Sequence, residues 1–335
     1  AGHYPREALE IDLVRLARAA AARLVIGRAD GIDRAARRVH VPGRPPIRYD
    51  VASIDIGITS DMPALPGFSE HGVAAKPLGP FATKWERFCA DVAEGAAAPE
   101  VAVIGGGVAG VELALAMHHR LSGLGAAPRV SVVEAATALP GLATATQRTL
   151  RARLNAHGIA LIEGDPAAEV SVDGVTTVSG RHVPAALTVG AAGARPHPWL
   201  AELGLAHAGG FLTVDATLRS VTDGAIHAVG DCAHLAFAPR PKAGVYAVRA
   251  APVLTRNLRV ALSGGARARF RPQRDYLKLI SMGGKVAVAD RSGLSVSGPW
   301  LWRWKDRIDR SFMDKLGELP AMRPPPPPRE RAKGV

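Results

Sequence analysis

Residues 101–112 read VAVIGGGVAGVE, and this stretch decides the fold. An apolar run leads into Gly105-x-Gly107-x-x-Gly110, and an apolar helical pattern follows. Glycines at this spacing make a tight turn, let the backbone approach a pyrophosphate and let a helix pack closely on its strand. The phosphate charge would lie at the N-terminus of the following helix. The stretch therefore predicts a dinucleotide-binding strand, turn and helix.

The next strand, predicted over residues 129–134, ends in Glu134. A carboxylate at that position accepts hydrogen bonds from ribose hydroxyls and repels a 2′-phosphate. Arg129 stands at the start of the strand, too early to capture such a phosphate. The motif thus predicts a site for NADH rather than NADPH. The alternative is a glycine-rich turn without a ligand.

Periodicity outward from the turn predicts an α/β chain. Helices are predicted over residues 8–22, 83–94, 111–121, 146–156, 243–262 and 299–316, with Pro252 kinking or breaking the fifth. Strands are predicted over residues 23–27, 36–41, 49–57, 100–104, 129–134, 159–163, 186–189, 211–214 and 225–229, with hairpins over 170–177 and 276–290. Residues 60–98 form a Pro- and Gly-rich connection, and residues 320–335 a Pro-rich tail expected to be disordered.

A second carboxylate motif lies at residues 225–233, AIHAVGDCA. A strand that ends in Gly230–Asp231 suits a site where a carboxylate faces ligand hydroxyls, although Asp231 could equally be a helix N-cap. Two glycine turns, DIGIT at 55–59 with Gly57 and GAAGAR at 190–195 with Gly193, also end strands. Each is an ordinary turn when taken alone. Together, in this order, they resemble the short motifs where a chain crosses between two dinucleotide-binding domains, which makes Gly57 and Gly193 candidate cofactor-binding residues.

Composition narrows the class of protein. The chain has 335 residues, 47% hydrophobic, a net charge of +12 and two cysteines 143 positions apart. These numbers predict two or three domains, no redox cysteine pair, no metal site and a cytoplasmic location. The arginines are scattered, which favours a basic surface; contact with an anionic membrane is an alternative, and no nucleic-acid partner is expected. No apolar run reaches membrane-spanning length.

The order of these motifs resembles the pyridine nucleotide-disulfide oxidoreductase superfamily. Without a cysteine pair, the chain is similar to type II NADH dehydrogenases, which pass electrons from NADH through FAD to a quinone. It most resembles the flavoprotein module that some bacteria fuse to selenide, water dikinase. The segments that carry this finer likeness are AGHY (1–4), DIGIT, Lys76-Pro77, KAGVYAVRAAP (242–252) and WLWRWKDRIDRSFM (300–313).

The resemblance implies two Rossmann-like FAD/NAD(P)-binding domains of three-layer ββα character and a small α+β C-terminal domain. The implied divisions are an FAD-binding domain over 1–95 and 186–265, an NADH-binding domain over 96–185 and a C-terminal domain over 266–319. Asp231 is expected to bind FAD, with Lys242 and Ala243 at the N-terminus of the helix nearest the flavin. Lys76 is a further candidate charge near the flavin, although both lysines also suit an ordinary surface.

Two departures from the family pattern bear on function. The N-terminal βαβ unit that holds the FAD pyrophosphate in relatives is not found in the sequence, which predicts an incomplete FAD-binding domain. The helix at 243–262 also lacks the glutamines that type II NADH dehydrogenases carry near the flavin, which leaves the acceptor open: a quinone or another small molecule. The rivals are a non-catalytic NAD-binding remnant and a flavoprotein of selenium metabolism.

The helix over 300–312 has an apolar stripe with basic residues around it. The stripe members are Trp300, Leu301, Trp304, Ile308 and Phe312. This pattern is typical of a helix at a membrane surface, and equally of one that packs on a hairpin or a homodimer seam. Cys232 is expected to be a small buried residue, and His118 and His119 to face solvent. No catalytic side chain is named, because the cofactor carries the chemistry.

Overall fold

The computed structural model describes residues 1–319; the predicted Pro-rich tail lies outside this range. The helices are α1 Leu13–Ala19, α2 Phe68–His71, α3 Leu78–Ala93, α4 Val108–Gly123, α5 Thr144–Ala156, α6 Gly244–Ser263 and α7 Pro299–Gly317, with short 3₁₀ turns at Arg6–Leu9, Pro198–Leu203 and Gly230–Cys232. The first ten strands are β1 Gly31–Asp33, β2 Arg38–His40, β3 Ile47–Arg48, β4 Ala52–Ile54, β5 Gly72–Ala74, β6 Glu100–Ile104, β7 Arg129–Glu134, β8 Ala160–Glu163, β9 Ala167–Ser171 and β10 Gly174–Thr177. The remaining strands are β11 His182–Pro184, β12 Leu187–Gly190, β13 His207–Ala208, β14 Phe211–Val214, β15 Ile226–Ala228, β16 Ala233–Leu235, β17 Lys278–Ser281, β18 Ala287–Arg291 and β19 Leu294–Gly298.

The chain divides into two compact units. The larger unit contains Ala1 and residues 28–302. Among the described residues, the smaller contains residues 2–27 and 303–319. Within the smaller unit, the Tyr4 hydroxyl donates a short hydrogen bond to Asp306, and the Arg310 guanidinium lies 5.1 Å from the Tyr4 ring centroid.

A five-stranded parallel sheet is the centre of the larger unit, in the order β5-β12-β6-β7-β8. Its strands are apolar on both faces, because helices α3–α5 cover one face and the antiparallel sheet β11-β10-β9 covers the other. Val101, Val103 and Val132 have no exposed surface, and they pack with Leu115 and Leu121 of α4. The predicted domain boundaries at 95/96 and 185/186 do not coincide with the sheet, since β5 and β12 belong to it.

A second group of strands surrounds Asp231. β4 pairs with β15, and β14 pairs with β16, both in parallel, over a separate apolar cluster that includes Ile54, Leu212 and Ile226. Two α/β regions are thus present, as the motif order predicts. We call β5–β12 together with α3–α5 the NAD region, and β4 together with residues 198–271 the flavin region, after the cofactors that the sequence resemblance implies for them.

The three-stranded sheet β17-β18-β19 adds a strand to the predicted hairpin. It shares the core of the NAD region, because Ile280, Met282 and Val288 pack in the same cluster as Leu115. Backbone groups reinforce the attachment: the Ser281 amide donates to Glu112 over 2.6 Å. The predicted 266–319 domain therefore has no separate core in its sheet.

Several predicted elements differ. The single helix over 8–22 is instead a 3₁₀ turn and α1, and residues 23–27 form no strand. All side chains of both short helices are at least partly exposed, so no core stabilises a longer helix or a strand here. The predicted helix is not broken at Pro252, because α6 runs continuously through this residue over 20 residues. No described helix is both long and apolar enough to cross a membrane.

Candidate functional site

The glycine turn joins β6 to α4, and two of its glycines are required by packing. Gly105 has φ +116°, and a Cβ there would lie 2.7 Å from the Ala192 nitrogen. A Cβ on Gly110 would lie 1.9 Å from the Gly105 carbonyl oxygen. Any larger residue would push the helix away from the strand. The sequence prediction of a close strand–helix contact agrees with this geometry.

Gly107 differs from its two partners. It is the N-cap of α4, no side chain caps the helix, and a Cβ at this position would meet nothing within 4 Å. The first amides of the helix therefore lack a side-chain acceptor and face open space. An uncapped N-terminus behind an open glycine is an anion-binding arrangement, and it fits a pyrophosphate.

Glu134 lies where the motif predicts, at the end of β7 beside the turn. One carboxylate oxygen accepts from the Gly106 amide over 2.6 Å, and the other accepts from the Ala136 amide over 2.9 Å. Each oxygen keeps a second lone pair that a ribose hydroxyl can use. On the neighbouring strand Glu163 is engaged differently: Arg151 binds both its oxygens and holds the pKa of the carboxyl below its usual range.

The second site surrounds Asp231, in the 3₁₀ turn after β15. Gly230 has φ +67°, and a Cβ there would lie 2.3 Å from an Asp55 carboxylate oxygen. The Lys76 ammonium lies 3.4 Å from the Asp231 carboxylate. Partial desolvation, followed by the charge of Asp231, raises the pKa of Asp55. Two carboxylates and one lysine thus meet next to a glycine turn.

Lys242 and Ala243 stand immediately before α6. Ala243 is the N-cap and offers no side-chain acceptor, so the first turn of α6 is uncapped like that of α4. Lys242 donates to the Ala233 carbonyl over 2.5 Å and lies 3.9 Å from the centroid of the Phe211 ring. Burial lowers the pKa of Lys242. The side chain therefore fastens the Asp231 turn, rather than forming part of an ordinary surface.

The two connecting motifs come together. Thr59 of DIGIT and Arg195 of GAAGAR exchange backbone hydrogen bonds of 2.9 and 3.0 Å as an antiparallel bridge. Gly57 and Gly193 lie just before these positions, and a Cβ at either would meet nothing within 4 Å. The order of the two motifs along the sequence indicated that both are connections between the two dinucleotide-binding domains.

A cavity of about 610 Å³ joins the two helix N-termini. Its wall includes Val108 and Glu112 of α4, Val245 and Tyr246 of α6, and residues 274–280. Tyr246 and Tyr276 meet edge-on with ring centroids 5.6 Å apart. The volume is in the range of small-molecule sites.

Sequence reasoning named no role for Glu112, Tyr246 or Tyr276. Glu112 closes the very stretch that decides the fold, and its position one turn into α4 was the available signal. The two tyrosines lie on α6 and on the approach to β17. No pattern in the sequence shows that these segments meet.

The remaining candidates are structural. Cys232 has no exposed surface, its thiol donates to the Ile54 and Val229 carbonyls, and burial raises its pKa to about 11. It is a small buried residue, as predicted. The prediction that both histidines face solvent is wrong for His118, which is half-buried against His157 with ring centroids 4.8 Å apart. His119 is exposed. Within residues 1–319 no cluster of three metal-ligating side chains occurs.

The sequence pattern of the pyridine nucleotide-disulphide oxidoreductase family matches residues 13–251. The chain belongs to this family. It is 30% identical over 219 residues to NADH dehydrogenase-like proteins from two strains of Mycobacterium tuberculosis, which is 62% of the chain and 54% of each relative. The chain spans about half the length of these curated relatives.

Solved structures agree on the fold. The sulfide:quinone oxidoreductase of Aquifex aeolicus superposes with a TM-score of 0.77 at 18% identity, over 95% of this chain and 80% of the other. NDH2 of Plasmodium falciparum, solved with NADH, gives 0.73 at 13% identity over 88% and 84%. The predicted fold class, two Rossmann-like FAD/NAD-binding regions, is confirmed, and family membership confirms the predicted oxidoreductase class.

Proposed function

We propose that the chain binds NADH at the glycine turn and FAD beside Asp231, and that it transfers electrons from NADH to a small acceptor. The observation that carries this proposal is the cavity bounded by the first turns of both α4 and α6. Two uncapped helices, each with a carboxylate at the end of a nearby strand, converge on it. When bound, FAD supplies the hydride-accepting chemistry, and the protein supplies position and electrostatics. Family membership and the NADH-using relatives support these two cofactors.

Different residues are proposed to bind the two cofactors. The α4 amides and Gly107 hold the NADH pyrophosphate, and Glu134 orients the adenosine ribose. Asp231 and the N-terminus of α6 hold the flavin side, and Lys76 keeps the Asp231 carboxylate in place. Glu112 lies in the cavity wall, where its carboxylate accepts from the Ser281 amide and holds β17 beside the cavity.

Nucleotide preference tests the NADH assignment. Glu134→Gln removes the charge that repels a 2′-phosphate, so NADH binding should weaken and NADPH binding should strengthen relative to it. A shift of about tenfold in the affinity ratio is expected. Nucleotide fluorescence measures both affinities without requiring turnover. Glu163→Gln removes the same charge one strand away and should leave the ratio unchanged; an equal shift in both variants would contradict the assignment.

Retention of FAD tests the second site. Asp231→Asn should release FAD during gel filtration, whereas Asp173→Asn, on the exposed β9–β10 turn, should not. The rival function is an NAD-binding remnant that does no redox chemistry. A purified protein that binds NADH but retains no FAD and reduces no dye would establish that rival.

For the acceptor we propose a quinone, on the strength of the sulfide:quinone oxidoreductase and NDH2 relatives. The helix at 243–262 lacks the glutamines that type II NADH dehydrogenases carry near the flavin, so the site is not of the usual composition. NADH oxidation should be faster with a water-soluble quinone than with ferricyanide. A link to selenium metabolism rests only on the finer resemblance, and a neighbouring selenide, water dikinase gene would support it.

A second proposal is peripheral contact with the inner face of a membrane through α7. Trp300, Trp304, Ile308 and Phe312 recur every four residues and are 51, 44, 46 and 43% exposed. Leu301 does not belong to this stripe, because it is buried at 1% exposure. Four exposed large apolar side chains on one helical line suit insertion into a lipid interface. A homodimer seam is the alternative use of the same line.

Vesicle binding separates these uses. Trp304→Ala/Ile308→Ala should abolish co-sedimentation with lipid vesicles. Trp302→Ala removes a tryptophan that lies under Lys285 rather than on the stripe, and it should leave binding unchanged. Unchanged vesicle binding in the double variant, with a smaller assembly in solution, would favour the dimer seam.

A further inference from the structure

One segment carries most of the net charge of the chain. Residues 232–274 contain eight arginines, one lysine and no aspartate or glutamate, so they contribute nine of the twelve net positive charges. Arginines occur throughout the chain. The excess of positive charge comes mainly from α6 and the extended segment that follows it.

Seven of these arginines are exposed. They are Arg249, Arg256 and Arg259 on α6, and Arg267, Arg269, Arg271 and Arg274 after it. We call these seven the arginine surface. Within residues 1–319, the arginines that form ion pairs with carboxylates, such as Arg34 and Arg151, do not belong to these seven. The seven guanidinium groups thus have no carboxylate within ion-pair distance in the described part of the chain.

The backbone under the arginine surface is fixed. Asn257 is fully buried, and its side chain bonds the Thr217 carbonyl and both backbone groups of Ala268. Phe270 is buried among Leu218, Val229 and Ala250, and its amide donates to Ala216. Because Ala268 and Phe270 point inward, the alternating arginines must point outward. The charges are held in place rather than spread along a loose loop.

The arginine surface adjoins the proposed redox site. Arg274 lines the cavity between α4 and α6. Arg240 lines a smaller cavity beside Asp231, and its guanidinium holds the Pro272 and Gln273 carbonyls. A macromolecule bound across these arginines would therefore lie at the mouth of the site where we propose FAD.

We propose that the arginine surface docks an acidic protein that accepts electrons from this site. An array of positive charge steers a negatively charged partner and orients it, while adding modest affinity. Arginine suits such an interface because its planar guanidinium group can donate to both oxygens of one carboxylate. A lipid surface would need a continuous set of apolar anchors as well; α6 exposes the two separate side chains Val248 and Leu262, whereas a line of four large apolar side chains lies on α7. The proposal rests on the proposed function only in placing electrons at this site, and it adds a protein acceptor to the quinone proposed above.

Binding of an acidic [2Fe–2S] ferredoxin provides the test. The full chain should bind the labelled ferredoxin at about 25 mM salt and lose about tenfold in affinity at about 250 mM. Arg256→Glu/Arg259→Glu should weaken binding about tenfold at low salt. Arg38→Glu/Arg181→Glu changes two exposed arginines elsewhere and alters the net charge equally, so it should change binding less than about twofold. Circular dichroism confirms that both variants fold.

Several outcomes would overturn the proposal. These are no ferredoxin binding by the natural chain, equal loss in both double variants, or binding to anionic vesicles or DNA that only Arg256→Glu/Arg259→Glu removes. Reduction of a neutral quinone by NADH is measured beside ferredoxin reduction. If the quinone is reduced normally and only ferredoxin reduction is lost in Arg256→Glu/Arg259→Glu, the docking surface is supported. If neither acceptor is reduced but ferredoxin binding follows the charges, the proposed function fails while the surface stands.

Discussion

The NAD region and the flavin region use the same device in different surroundings. Each has a helix without a side-chain cap, a glycine that admits no side chain and a carboxylate nearby. In the NAD region Gly105 and Gly110 are enclosed by backbone, and Glu134 is bound by backbone amides next to the turn. In the flavin region Gly230 faces an Asp55 side chain, and Asp231 is held by Lys76 across 155 positions of sequence.

The difference shows how each site is built. A site made from one strand, turn and helix is local, so its geometry follows from neighbouring residues. The Asp231 site depends on β4 pairing with β15 and on Lys76 arriving from another segment. We therefore expect substitutions in the NAD region to act on the backbone, and those in the flavin region to act through side chains that can adjust.

Gly110→Ala should have the largest effect. The new methyl group would lie 1.9 Å from the Gly105 carbonyl oxygen, so helix α4 must move away from β6. The free energy of unfolding should fall by about 3 kcal/mol or more, because neither contacting group is flexible. Urea denaturation measures the loss. Gly123→Ala, near the end of the same helix with open space around it, should be neutral or slightly stabilising; a similar loss there would remove the steric explanation.

Gly230→Ala makes the corresponding change in the flavin region. Its methyl group would meet the Asp55 carboxylate, which can rotate, although φ of +67° still strains any side chain. The expected loss is about 1–2 kcal/mol, smaller than in the NAD region. Adding Asp55→Ala should recover part of that loss. No recovery in the double variant would show that backbone strain, rather than the contact, determines the cost.

Gly107→Ala should separate binding from folding. A methyl group there meets no protein atom, so the melting temperature should stay within about 2 °C of the natural protein. The same methyl group occupies the space proposed for the pyrophosphate, so NADH affinity should fall about tenfold. Isothermal titration gives the affinity and calorimetry the stability. Unchanged affinity would mean that the phosphates do not approach this turn.

Sequence could predict the geometry of the glycine turn and of Glu134 almost completely. Gly105, Gly107, Gly110 and Glu134 act within one strand–turn–helix unit and the next strand, so their spacing carries the geometry. It could not predict that β17 packs on α4 and brings Ser281 to Glu112, because that contact joins positions 169 apart. The short strands and helix of the first 60 residues were also missed in part, since few of their side chains reach a core that would impose a period.

The flavin region also holds a titratable group inside its core, which gives the smallest predicted effect. His227 of β15 has no exposed surface, and neither ring nitrogen has a hydrogen-bond partner among the described residues. Burial, followed by the charges of Arg267 and Arg219, lowers its pKa below the ordinary value of about 6.5. As the pH falls through about 6.5, His227 binds a proton in the unfolded chain but stays neutral in the folded chain. Stability contributed by the neutral ring is therefore present at higher pH and lost on acidification.

His227→Leu should reduce this loss between about pH 7.5 and about pH 5.5, by less than about 1.4 kcal/mol per pH unit. Urea denaturation at each pH gives the slope, and exposed His71→Gln should leave it nearly unchanged. Hydrogen exchange locates the effect: acid should lower the protection of β15 amides before that of β6 amides. Equal loss in both strands would mean that the two regions unfold as one unit, and the contrast between them would then apply to ligand sites but not to stability.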